Sequence, residues 1–203
     1  MIEFTNNLEV TKTEDIFDEI NKRYVAAMMI HGQMADYFNF LGLKGYKRLH
    51  EYQFLTESLE RREICRYFVD HHGKLLKDSF SGTIKVIPDS WYTASRLSIG
   101  KSTKQKAVED GFIEYHNWEK ETKEAYEKYA QQLRTNGNVS DALFVECLVK
   151  DVSKELETVE KMVTDLISVG YDMVYITETQ DCIHEKLSLI HISEPTRRRG
   201  TSY

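Results

Sequence analysis

Two acids in this sequence stand where helix periodicity calls for apolar side chains. Glu119 falls within the series Phe112, His116, Thr122, Tyr126 and Leu133, and Glu155 within Leu148, Val152, Val159, Met162 and Leu166. Both series follow the three-to-four-residue spacing of one helix face. A carboxylate on such a face needs a cation, a proton or a hydrogen-bond donor, because an unpaired buried charge is costly. Glu57 and Glu60, three residues apart, also share a face. With 33 acids in the chain, that pair fits a solvated surface as well as it fits a cation site. His31 and His116 lie on apolar faces, where an imidazole is more often a hydrogen-bonded core group than a ligand. His71 and His72 come at a helix end, beside terminal carbonyls.

Other chemistries are excluded by their missing signatures. The chain has no Gly-rich phosphate loop, no Cys-x-x-Cys pair, no His-Glu-x-x-His and no Ser or Cys nucleophile with a placed base. A formal charge of −6 leaves no broad basic face, so nucleic acid is not an expected partner, and the twelve tyrosines lack the basic groove that base stacking requires. Cys65, Cys147 and Cys182 are odd in number and fall inside expected helices, which implies buried or free thiols and a cytoplasmic location. Met1 to Lys12 lacks the apolar core of a signal peptide, and no run approaches the roughly 20 apolar residues of a membrane span.

The elements that must position these acids are helices. Two prolines and ten glycines in 203 residues favour long uninterrupted helices in one all-α domain. Ile16, Phe17, Ile20, Tyr24, Ala27, His31, Met34 and Phe38 set a first helix from Glu14 to about Leu41, with Thr13 as its expected N-cap. A second helix is expected from Tyr46 to about His72, closed by Gly73. Lys74 to Gly100 is rich in Ser, Thr and β-branched residues, contains Pro88, and reads as a long connection. A third helix is expected from about Ser102 to Thr135, then an Asn136-Gly137-Asn138 turn, then a fourth from Ser140 to about Val169. Gly170 precedes a short fifth helix over Tyr171 to Lys186.

Two long helices, a long crossover and two more long helices are the connectivity of the ferritin-like four-helix bundle. The stretch QMADYFNFLGLKGYKRLHEY, Gln33 to Tyr52, resembles the end of a ferritin first helix, its turn and the start of the second. The segment around Val86, Pro88 and Trp91 is similar to the ferritin crossover, and TNGNVSDALF resembles the third turn. The resemblance implies an iron-binding bundle, with a truncated fifth helix, and a ligand pattern of Glu on the first helix, Glu-x-x-His on the second, Glu on the third and Gln-x-x-Glu on the fourth. On that pattern Glu57, Glu119 and Glu155 match. Glu60 stands at the His position, Val152 at the Gln position, and Tyr24 at the first-helix Glu position. One metal site is therefore expected to survive, with Glu60 and His31 as substitute ligands, and the di-iron centre is partly degenerate. Ferroxidase activity is expected to be reduced or absent; manganese and zinc are alternatives to iron.

Leu187 to Arg197 reads LSLIHISEPTR, which resembles a translated transposase sequencing adapter rather than any protein family. Residues 1–186 are thus expected to form the single domain and residues 187–203 a non-native tail, on a sequence of metagenomic origin. His191 and Arg197 to Arg199 consequently carry no functional weight. The resemblance further implies a homo-oligomer, with a dimer favoured over a cage. The competing reading is a non-enzymatic interaction protein on a reused scaffold, such as a phage or mobile-element inhibitor of a host protein, motivated by Tyr24, Glu60 and Val152.

Overall fold

The structure, a computed structural model, describes residues 2, 4, 6–77 and 84–193, with side chains as far as residue 187. The described residues form helices α1 (Thr13–Phe40), α2 (Lys44–His72), a short α3 (Asp89–Tyr92), a 3-10 turn (Arg96–Ser98), α4 (Lys101–Thr135), α5 (Val139–Ser168) and α6 (Met173–Ser193). The short turns between α1 and α2, and between α4 and α5, make each pair an antiparallel hairpin. The long connection after α2 returns the chain to the opposite end, so α2 and α4 run parallel. No described helix is long and apolar enough to cross a membrane.

The apolar stripes meet in two clusters. One gathers Ile30, Met34, Phe38, Tyr46, Phe112 and Trp118 at the end of the bundle carrying α6. The other gathers Ile16, Phe17, Ile20, Phe68, Tyr129 and Leu133 at the opposite end. On α4 the first cluster ends at Trp118 and the second resumes at Ala125, and Glu119 and Thr122 occupy the gap. On α5 the break between Val152 and Val159 contains Glu155, and on α2 the break between Tyr46 and Ile64 contains Glu57. The acids therefore mark one polar level where the two halves of the core meet.

The crossover is laced to α1 by Gln33. Its amide donates to the Ile84 carbonyl at 2.7 Å and its carbonyl accepts from the Val86 amide at 2.9 Å, so one side chain satisfies two backbone groups of an irregular segment. Trp91 then packs edge-on against Tyr37 and Phe40. At the turn between α1 and α2, α6 lies so close to Gly45 that a β-carbon there would fall 1.6 Å from the Gln180 carbonyl oxygen. The Gln180 side chain accepts the Gly45 amide proton at 2.7 Å.

Two expectations about boundaries change. Thr13 is not the N-cap of α1: the Ile16 amide donates to the Lys12 carbonyl, which puts Thr13 in the first turn, where its hydroxyl accepts from Asn138 instead. The last helix extends past Lys186 to Ser193, because each residue added to a formed helix gains a backbone hydrogen bond without a new nucleation cost. His191 thus lies within α6, and Arg197 to Arg199 lie outside the described residues. Cys147 and Cys182 are exposed, and Cys65 is half-buried with its sulfur 3.7 Å from Asn21 Oδ1.

Candidate metal centre

Each of three helices brings one donor to the polar level. Glu57 comes from the middle of α2, Glu119 from the middle of α4 and His31 from α1, all three buried. One ligand atom from each lies within 4.8 Å of the other two. Two donors on opposite sides of one ion stand about 4 Å apart, so small rotamer shifts would close the three around a single cation. A cavity of about 10 Å³ lies beside them, bordered by Glu57, Glu60, Glu119, Glu155, Tyr24 and Arg23. That is room for about one water molecule or ion.

The electrostatics of the level are those of carboxylates held in place without enough counter-charge. Burial, reinforced by Glu119, Glu155 and Glu60, pushes the Glu57 carboxyl well above its ordinary range. Burial, reinforced by Glu155, does the same to Glu119. One Glu119 oxygen is buried without any hydrogen-bond partner, as is Nε2 of His31. Burial also holds the His31 ring neutral, down to about 3. Orphaned acceptors, acids held protonated by their surroundings and a neutral imidazole are the condition of a ligand set awaiting a cation.

Glu155 and Glu60 border the same cavity but are engaged elsewhere. Glu155 accepts from the Gln53 amide at 3.2 Å, and Gln53 also donates to the Tyr115 hydroxyl at 3.0 Å. Glu60 accepts from the Tyr24 hydroxyl at 3.3 Å. Burial, with Glu155 and Asp151 nearby, raises the Glu60 carboxyl to about 7. Tyr24 and Val152 also line the cavity.

Arg23 is a buried guanidinium at this level, yet its hydrogen bonds go to neutral groups. Nε donates to Thr122 Oγ1 at 2.7 Å, and the two terminal nitrogens donate to Asn6 Oδ1 at 2.7 Å and the Trp118 carbonyl at 3.1 Å. It stacks over the Trp118 ring at 4.0 Å. Its charge acts on Glu57 and Glu119 through space, opposing but not overcoming the effect of burial.

Among the other histidines, His116 is not a core residue: its side chain is 26% exposed and its Nε2 is 3.4 Å from Glu160 Oε1 at the bundle surface, because the buried face of α4 runs through Phe112, Tyr115 and Glu119 instead. His71 meets the Tyr67 carbonyl at 3.0 Å, the end-of-helix contact expected, whereas His72 reaches across to Asp141 at 3.0 Å. The residue that sequence reasoning passed over is His50. It is fully buried, with Nδ1 3.0 Å from Nδ1 of His31. Its signal was present: His50, Gln53, Glu57 and Glu60 recur at helical spacing along one face of α2.

No protein-family model matches the sequence, and no curated protein matches it. Solved structures do match in fold. The open-pore ferritin of the hyperthermophilic archaeon Archaeoglobus fulgidus superposes with a TM-score of 0.69 at 15% identity, over 90% of this chain and 98% of that one. A humanized archaeal ferritin gives 0.67 at 15% identity, over 86% and 94%. A closed form of the Archaeoglobus fulgidus ferritin made by site-directed mutagenesis gives 0.65 at 15% identity, over 92% and 98%. The chain has a ferritin-like helical fold, a four-helix bundle with one additional helix.

Proposed function

We propose that this chain is a ferritin-like metal-binding protein that takes one divalent cation, iron foremost, between His31, Glu57 and Glu119. The observation that carries the reading is the convergence of these three donors from three helices, two of them with buried atoms that have no other partner. A cation at that point offsets the burial and the neighbouring acids that favour the protonated forms of Glu57 and Glu119, and it supplies the missing partner of the Glu119 oxygen. Glu155 and Glu60, at the margin of the cavity, are further carboxyls that can ionise as a cation enters. The donor set, two carboxylates and an imidazole, also suits manganese or zinc.

Iron bound here, if it is the substrate, supplies the electrons for dioxygen. The chain's own contribution to that reaction is curtailed, because Tyr24, Glu60 and Val152 stand where a second ion needs Glu, His and Gln. The proposed activity is therefore storage or sequestration of one ion per chain, with ferroxidase turnover reduced or absent. Anaerobic iron(II) titration followed by oxygen-uptake measurement tests this. Uptake of one ion per chain, lost in a Glu119→Ala, Glu155→Ala double variant, supports it. Failure of the wild type to take up iron, manganese or zinc, or unchanged binding by the double variant, overturns it.

We also propose a homodimer. Tyr52, Leu55 and Leu59 form an exposed apolar stripe on α2, with Met29 exposed on the adjoining α1, and a second copy of the same face would cover it. Light scattering at a mass of two chains is the expected result; a monomer or a particle of cage mass excludes it.

A further inference from the structure

His50 does not belong to the three-donor group, yet it is tied to the one imidazole in it. Its Nδ1 and that of His31 are 3.0 Å apart, with both rings fully buried. Two nitrogens at that distance cannot both carry a proton, so one ring donates and the other accepts. The choice decides what His31 can do. If His31 carries its proton on Nδ1 and gives it to His50, its Nε2 holds a free lone pair. If His50 is the donor, the His31 proton sits on Nε2 and blocks that nitrogen.

The ring of His50 is held in place beside His31 by its neighbours. Phe38 stacks on it nearly face to face, with centroids 5.3 Å apart and planes 7° from parallel. Tyr115 closes edge-on against both imidazoles, at 5.1 Å from His50 and 5.2 Å from His31. Neither ring can turn away without breaking aromatic contacts, and Nε2 of both rings is buried without a partner; of the two, only His31 belongs to the three-donor group.

Building on the metal-binding reading above, we propose that His50 is a positioning residue: by accepting the Nδ1 proton of His31 it selects the tautomer whose Nε2 ligates the cation. A ligating histidine whose other nitrogen is anchored in this way is both oriented and made more basic, and loss of such an anchor typically weakens metal binding about ten- to hundredfold. Asparagine at position 50 can place an amide oxygen close to where Nδ1 stood, so His50→Asn keeps the acceptor, whereas His50→Leu removes it.

The test uses the full chain and zinc, which is diamagnetic. Calorimetric titration is expected to show His50→Leu binding zinc about ten- to hundredfold more weakly than wild type, with most of the affinity retained in His50→Asn. Nitrogen-15 imidazole spectra of the zinc-loaded wild type are expected to show His31 coordinated through Nε2, with Nδ1 still protonated. Coordination through Nδ1, a zinc-bound His50, or zinc affinity in His50→Leu equal to wild type overturns the proposal while leaving the metal site standing. No uptake of zinc, manganese or iron(II) by the wild type sinks the metal-binding reading itself, and with it the role of His50. If His50→Leu does not fold, the spectra and His50→Asn decide: an Asn variant weakened at least tenfold overturns the role assigned to the acceptor.

Discussion

Tyr24 and Glu60 meet across α1 and α2, the tyrosine hydroxyl donating to the glutamate at 3.3 Å. Both line the same small cavity as Glu57, Glu119 and Glu155. In the proposed reading, this pair stands at the positions that the ferritin-like ligand pattern gives to Glu and His. It accounts for the expectation of one cation rather than two.

Replacing the phenol with a carboxylate should restore donors for a second ion. Tyr24→Glu, combined with Glu60→His, is expected to raise iron(II) or manganese(II) binding from one to two ions per chain in an anaerobic titration. The metal-free double variant should melt at a lower temperature than wild type, since a further carboxylate enters a region already crowded with acids. A stoichiometry unchanged at one would refute the assignment of Tyr24 to the missing ligand position.

The buried carboxyls should give the pH dependence of the metal-free protein a component inverted relative to ordinary acid denaturation. Glu57, Glu119 and Glu60 hold their protons in the fold at pH values where the unfolded chain has released them. The folded state therefore binds more protons, and stability falls as pH rises. For Glu60 the contribution is complete below 4.5 and is lost as pH rises through about 7. His31 and His50 act with the opposite sign, the His31 contribution growing between about 3 and 6.5 and so overlapping the Glu60 window, which is why the Glu60 variant and not the bare slope is the test. Glu60→Gln keeps an acceptor for Tyr24 and should flatten the loss between pH 4.5 and 7, by at most about 3 kcal/mol. Thermal melts across that window, with chelator present, measure it; a slope identical to wild type would contradict the burial of Glu60.

The approach of α6 to α2 leaves no room for a methyl group at position 45. Gly45→Ala improves helix propensity by about 1 kcal/mol, yet its β-carbon would sit 1.6 Å from the Gln180 carbonyl oxygen. The expected net effect is destabilisation of about 1–3 kcal/mol, with α6 displaced. Denaturant unfolding and faster amide exchange in residues 173–187 are the readouts; a variant more stable than wild type would show that α6 does not pack there.

Gln33 holds the crossover by satisfying the Ile84 carbonyl and the Val86 amide together. Gln33→Leu keeps the volume and removes both bonds. A loss of about 1–3 kcal/mol is expected from the two unpaired backbone groups, accompanied by faster hydrogen exchange at Val86. Unchanged protection at Val86 would assign the anchoring to the aromatic contacts of Trp91 alone.

The order of helices, the two short turns and the long crossover were legible in the sequence because they depend on local chemistry: apolar spacing near 3.6, glycine at helix ends, and a Ser- and Thr-rich break containing Pro88. The anomaly of Glu119 and Glu155 was legible for the same reason, as acids on otherwise apolar faces. Sequence could not say which of the candidate acids meet. Glu57 and Glu119 come together with His31, whereas Glu155 is drawn to Gln53 and Glu60 to Tyr24. Those choices depend on the rotation and axial offset of whole helices against one another, and residues 62 positions apart in sequence, such as Gln53 and Tyr115, take part in them. The pairing of His31 with His50 is of this kind: each imidazole by itself reads as an ordinary core histidine, and only packing α1 against α2 brings one ring nitrogen to the other.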